Sequence, residues 1–178
     1  NALALNILKP GEVAATGGTS GVLFAVSDRN SSKEFYRVNH FAHVNYTPEQ
    51  PLIGTLLCVN GAGIQYSWLR KMANHTDFNT MNSLAEKVPI GSEGLINLPF
   101  GNGAERMLNN KTPGAQFSNL NLNQHQQGHL FRSALEGIAF SFAYGMEIMQ
   151  KDALNINVIR AGNDNLFRSK IFADTVAS

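Results

Sequence analysis

The sequence predicts an α/β domain, a sheet whose strands alternate with helices, with a β-hairpin added at its start. Three observations carry that expectation. A continuous apolar run of strand length, Ile53 to Val59, passes through Asn60-Gly61-Ala62-Gly63 into a helical stretch, Ile64 to Ala73. Later, Leu130, Ala134, Leu135, Ile138, Phe142, Met146 and Met149 recur at the 3–4 spacing of a buried helical face, predicting a long helix over Gln124 to Gln150. Near the end a short strand, Asn155 to Ile159, leads through Arg160-Ala161-Gly162-Asn163-Asp164-Asn165 into a last helix. Strand, turn and helix repeated in this way is the pattern of layered α/β domains.

In chain order, Glu12 to Ala15 and Val22 to Val26 read as two strands joined by a turn of Gly17, Gly18, Thr19, Ser20 and Gly21. Phe35 to Val44 alternates poorly and reads as a strand of open register. The unbroken apolar run Ile53 to Val59 suits a strand covered on both faces. Asn79 to Lys87 reads as a second helix, stopped by Pro89 and Gly91, and Leu95 to Phe100 as a strand ending at its proline. Gly101 to Asn123, full of Gly, Pro and Asn, reads as one long loop. Leu166, Ile171 and Val176 open the final helix, with Asp164 or Asn165 placed to cap it.

The 178 residues suit one domain, with two small ones as the alternative. Lys plus Arg is 14 against 13 for Asp plus Glu, a net charge of +1. That balance argues against nucleic acid and anionic membranes as partners, because both select a strongly basic face. No apolar run approaches the ~20 residues a spanning helix needs. The single cysteine, Cys58, cannot form an internal disulfide, which points to a reducing, cytoplasmic setting. Glycosylation sequons begin at Asn30, Asn45, Asn74 and Asn110, but asparagine is abundant throughout and chance sequons are expected. The chain starts at Asn1 without Met and stops straight after a helical run, which reads as a piece of a longer protein.

Glycine-rich turns follow three of the strands: Gly17 to Gly21, Gly61 to Gly63, and Gly162 with its neighbours. Glycine lets backbone N–H groups approach an anion closely, and a helix N-terminus adds partial positive charge, so three such turns together point to a nucleotide. Each alone is most often only a turn. None fits a P-loop or dinucleotide fingerprint, since Tyr66 stands where the third glycine would be. His125 and His129 have the spacing of zinc ligands on a helix, but Gln126 replaces the glutamate base, and ordinary polar histidines are the default reading. Glu105 with Arg106, and Arg132 with Glu136, read as ion pairs tying the long loop to the long helix. No hydroxyl, thiol or carboxylate has an activating partner by spacing, so no catalytic residue and no metal ligand is assigned.

Taken together, the motifs resemble the carbohydrate kinases of the FGGY family, and among them those acting on D-xylulose. The segment Gly11 to Gly21 is similar to the family's phosphate hairpin, and Gly61-Ala62-Gly63-Ile64-Gln65 with Trp68-Leu69-Arg70 to its next turn and helix. Gly94 to Phe100 continuing to Glu105-Arg106, and His129 to Gly137, resemble two later motifs, all in family order. The resemblance implies an actin-like ATPase domain of the ribonuclease H-like type, a mixed sheet flanked by helices and incomplete at both ends. Residues 1–178 would be a partial C-terminal, nucleotide-binding domain of a two-domain sugar kinase. It implies ATP and Mg²⁺ as cofactors, a small sugar as the partner substrate, and admits a homodimer. Gly18, Thr19 and Ser20 would hold the terminal phosphate, Gly61 or Gly63 would approach the inner phosphates, and Gly162 and Asn163 would lie against the adenosine. The family's aspartate base would fall just before Asn1, and its last alanine- and glycine-rich helix beyond Ser178; lacking the base and the sugar-binding domain, the chain alone is expected to be inactive. Ala161 stands where a glycine is usual, and Gly103-Ala104-Glu105-Arg106 carries an inserted residue. Alternatives are a kinase for ribulose, fuculose, gluconate or glycerol, and a non-catalytic actin-like switch that changes shape with ATP.

Overall fold

Valine, leucine and alanine on alternating positions make the strands, and a helix covers the face they share. The computed structural model describes residues 2–28, 34–151 and 154–178. The sequon at Asn30 lies outside them. Strands β1 (Glu12–Gly17), β2 (Gly21–Ser27), β3 (Asn39–Ala42) and β4 (Ile53–Val59) precede helices α1 (Ala62–Met72) and α2 (Phe78–Glu86). Strands β5 (Ile96–Phe100) and β6 (Gly114–Ser118) follow, then α3 (Gln127–Lys151), β7 (Val158–Ala161) and α4 (Lys170–Ala177).

The main sheet has the order β3-β4-β2-β1-β7, and β5 with β6 forms a separate two-stranded sheet. The β1/β2, β2/β4 and β3/β4 pairs are antiparallel, while β7 runs parallel to β1, so the sheet is mixed as expected. One face carries Val13, Ala15, Leu23, Ala25, Leu57 and Val59, all buried in a single cluster with Phe131, Leu135, Ile138 and Phe142 of α3. The other face carries Ala14 and Val26, which pack on Ile7 and Leu52. Helix α3 is buried far beyond one stripe: Arg132, Ser133, Glu136 and Ser141 are enclosed along with its apolar residues. Among the described residues no helix is long and apolar enough to cross a membrane.

Several expectations shift. Only Asn39–Ala42 of the 35–44 segment is strand, with its register fixed by Phe41 opposite Gly54. The stretch read as one long loop contains β6, which pairs antiparallel with β5, Ile96 opposite Ser118 and Phe100 opposite Gly114. Helix α3 begins at Gln127 rather than Gln124, and β7 sits slightly later than read, because Asn157 already donates its N–H to Gly11 O before the ladder begins. The last helix is shorter: Asn165–Arg168 is a 3₁₀ turn, and Ser169, not Asp164 or Asn165, accepts the capping N–H of Phe172.

Arg132 and Glu136 do pair, at 2.7 Å, but they hold a different segment from the one expected. The Glu136 carboxylate also accepts from Gly91 N–H and Ser92 Oγ, while Arg132 donates to Val88 O, so the pair clamps the turn between α2 and β5. Arg106 is not paired with Glu105; it donates to Asn39 Oδ1 on β3.

Candidate functional site

Strand directions decide where the three glycine turns lie. β7 is parallel to β1, with Ala15 opposite Ala161, so the hairpin tip after β1 and the Gly162 turn after β7 leave the sheet at one end. β4 is antiparallel to β2 and ends with Val59 opposite Gly21, which puts Asn60-Gly61 at that end too. Turns separated by most of the chain therefore meet along one edge of the sheet.

At the tip, Thr19 and Ser20 are exposed, and a Cβ at Gly18 would meet nothing nearer than 3.6 Å. The tip docks on α1: Gly63 N–H donates to Gly18 O and Ile64 N–H to Thr19 O, both at 3.0 Å. Two of the donors that a helix start leaves unpaired are thus taken by the hairpin. Gly63 is a glycine because a Cβ there would lie 2.4 Å from Gly18 O. Gly61, the α1 N-cap, has φ 90° and would place a Cβ 1.9 Å from Pro99 O. Both are demanded by close backbone contacts within the protein.

Gly162 and Asn163 line a cavity of about 320 Å³ together with Ile159, Ala161, Phe167 and Val176. The Phe167 ring is fixed by edge-to-face contacts with Phe142 and Phe172, centroids 6.3 and 4.9 Å away. Phe142 in turn abuts Gly21, where a Cβ would meet its ring at 2.4 Å, and Leu166 sits 3.0 Å from the Cβ position of Gly17. One aromatic cluster thereby supports both the base of the hairpin and the wall of the cavity.

Sequence reasoning missed two polar residues. Asn60 bonds to the hairpin tip, to its own following residue and to the turn after β5. The signal for it was only its place before Gly61. Gln65, on the inner side of α1, has both amide atoms buried with no hydrogen-bond partner among the described residues. Nothing in the sequence marks it apart from other helical polar residues.

Among the described residues, no hydrogen bond at the tip involves a carboxylate. Cys58, beside Glu105, has its thiol pushed up by burial and by that carboxylate, which keeps it protonated and a poor nucleophile. The rings of His125 and His129 lie tilted to each other with centroids 5.2 Å apart, and both meet Glu93: His129 Nε2 its carboxylate at 2.9 Å, His125 Nε2 its carbonyl at 3.4 Å. Gln124 donates to the same carboxylate and, with His129, holds the Glu93 carboxyl below the usual carboxylate range. Among the described residues no group of three or more His, Cys, Asp or Glu is arranged to hold a metal ion.

A model of the C-terminal domain of the FGGY family of carbohydrate kinases matches residues 13–173. The gluconokinase of Bacillus subtilis is 29% identical over 150 residues, covering 78% of this chain and 28% of that protein. The xylulose kinase of Haemophilus influenzae is 26% identical over 182 residues, covering 99% and 35%. The crystal structure of the xylulose kinase from Rhodospirillum rubrum superposes with a TM-score of 0.86 at 26% identity, over 99% of this chain and 34% of that one. The chain thus spans about a third of the length of the relatives it matches.

Proposed function

The chain belongs to the FGGY family of carbohydrate kinases, phosphotransferases with the actin-like ATPase fold, and from that premise we propose that it is the nucleotide-binding half of a two-domain sugar kinase. The parent protein would transfer the terminal phosphate of Mg²⁺-ATP to a sugar hydroxyl, with D-xylulose the favoured acceptor and D-xylulose 5-phosphate the product. The observation that carries this reading is the convergence of the hairpin tip, the Asn60-Gly61 turn and the Gly162 turn at one end of the sheet.

The residues present fit the nucleotide. Gly18 leaves room for close approach, and the Thr19 and Ser20 hydroxyls stand exposed at the tip where a phosphate would sit. The apolar wall of Ile159, Phe167 and Val176 suits the flat face of a purine, and Gly162 with Asn163 offers backbone and amide groups at its rim. Bound ATP would supply the phosphoryl group, and Mg²⁺ would supply charge neutralisation for it. What the chain contributes is position: the tip orients the terminal phosphate while the Gly162 cavity holds the other end of the molecule. Phosphoryl transfer depends mainly on such positioning and on charge stabilisation, plus one base for the attacking hydroxyl. That base is the family's aspartate, which the resemblance sets just before Asn1, so we expect the chain alone to be inactive. By the same reading the protein works in the cytoplasm.

The likeness to a gluconokinase favours a second reading, in which the acceptor is a sugar acid. Release of ADP by the full-length protein, measured with Mg²⁺-ATP against ketoses, polyols and sugar acids, separates the two. Turnover dependent on D-xylulose upholds the first, and dependence on gluconate the second. ATP binding without turnover on any acceptor would replace both with a non-catalytic switch. Thr19→Val is expected to lower kcat by about 10²-fold with little change in sugar KM, as loss of a donor to the transferring phosphate should. An unchanged rate would remove Thr19 from the role.

A further inference from the structure

The hairpin tip is a three-residue projection, Gly18 to Ser20, and a projection that orients a phosphate must itself be held. Its own backbone is held at one side, where Gly18 O and Thr19 O receive the N–H groups of Gly63 and Ile64 in the first turn of α1. Among the described residues, one side chain holds the other side. Asn60, half-buried between the end of β4 and the start of α1, uses its whole amide there. Its Oδ1 accepts from Ser20 Oγ at 3.4 Å and from Gly61 N–H at 3.1 Å, and its Nδ2 donates to Asn102 O at 2.9 Å. Three segments far apart in sequence, the tip, the α1 start and the turn after β5, are joined through one planar group.

We propose that Asn60 is a positioning residue for phosphoryl transfer: its amide pins Ser20 and thereby fixes where the hairpin tip presents the Thr19 hydroxyl. The proposal rests on the nucleotide reading above. The chemistry follows from the donor and acceptor inventory of an amide. Because Oδ1 is an acceptor only, Ser20 spends its single proton on Asn60 and has only lone pairs left to offer. An anionic phosphate needs donors, so among the tip hydroxyls the donor is Thr19, whose exposed side chain has no hydrogen-bond partner among the described residues. The Ser20 contact is long, as hydrogen bonds in unliganded catalytic sites often are before the substrate tightens them. No other residue type serves all three contacts at this length. Aspartate keeps the two acceptor contacts but turns a carboxylate on Asn102 O, losing that bond and adding a negative charge beside the phosphate.

The test is steady-state kinetics of the full-length kinase with its best acceptor, for Asn60→Ala, Ser20→Ala, the double variant and Asn60→Asp. Asn60→Ala should lower kcat by roughly ten- to a hundredfold while the KM for ATP moves by less than about threefold, the pattern of a misplaced rather than a missing ligand. Ser20→Ala should lose a similar factor, and the double variant should be no worse than the poorer single one, since both remove the same contact. Asn60→Asp should raise the KM for ATP as well, because of its charge. A purely structural role would lower the unfolding midpoint without this coupling. Wild-type kinetics in Asn60→Ala, or losses that multiply in the double variant, overturn the proposal. If Asn60→Ala does not fold, the exposed Ser20→Ala and the isosteric Asn60→Asp decide it: wild-type kinetics in both overturn it equally. A wild-type protein that neither binds nor turns over ATP would instead defeat the nucleotide reading and take this proposal with it, so the two failures are distinct.

Discussion

Glycines that look alike in the sequence do different work in the fold. Gly61 has φ 90° and faces Pro99 O at a Cβ distance of 1.9 Å, so an alanine there meets both a left-handed backbone and a backbone clash. Gly162 has no left-handed φ, and its nearest neighbour, Asp164, would lie 3.6 Å from a new Cβ. Gly61→Ala is therefore expected to destabilise the fold by more than about 2 kcal/mol, adding the left-handed cost to overpacking. Gly162→Ala should stay within about 0.5 kcal/mol. Urea unfolding of the two variants measures the difference, and equal losses would contradict it. The sequence shows that small residues follow these strands, which is why the candidate site was legible at all. It does not show what each glycine faces, because Pro99 and Gly18 reach Gly61 and Gly63 only through tertiary packing. Asn60 and Gln65 were hidden for the same reason: a polar residue carries no mark of its partner, or of lacking one.

At the scale of elements, the long helix was the clearest feature because its apolar residues recur over many turns, and the hairpin because glycines punctuate it. β6 was not legible: Gly114-Ala115-Gln116-Phe117-Ser118 is short, half polar and largely exposed, and pairs only with β5. The cap of α4 was misread because Asn165 starts a 3₁₀ turn whose end, not its start, launches the helix. α3 does more than cover the sheet. Its Arg132–Glu136 pair fixes the turn before β5, and its Gly137 lets Asn97 O approach to 2.4 Å of the Cβ position, so α3 sets the place of β5. Removing Glu136 leaves the Arg132 guanidinium buried and unbalanced while Gly91 N–H and Ser92 Oγ lose their acceptor. Glu136→Ala should cost about 3–5 kcal/mol, as breaking a buried pair from one side does. Thermal or urea unfolding checks this, and a loss under about 1 kcal/mol, the size of a surface pair, would show the clamp to be idle.

Across the whole molecule, one carboxylate ties the N-terminal segment to the sheet. Glu12 accepts the N–H groups of Leu8 and Lys9 and pairs with Arg160 on β7 at 3.0 Å. The Leu8 and Lys9 donors, aided by Arg160, bring its carboxyl down from 4.5 to about 2. A carboxyl lowered on folding stabilises the fold above its unfolded value and loses that contribution as the pH falls through the folded one. The stability gap between wild type and Glu12→Gln should therefore be widest above about pH 4.5 and close by about pH 2. A gap that stays constant across that range would argue against the ionised carboxylate as its source. The parallel pairing of β7 with β1, Glu12 opposite Val158, also has a consequence in time. β1, β2 and β4 are antiparallel neighbours, all within residues 12–59, and can pair soon after they leave the ribosome. The partner for the other side of β1, Val158–Ala161, follows about 140 residues after β1 ends. At roughly 5–20 residues per second that side of β1 waits unpaired for many seconds, a slow, long-range closure that favours late assembly and invites chaperones to an open edge. The order of synthesis thus makes the Gly162 turn the last of the three glycine turns to exist.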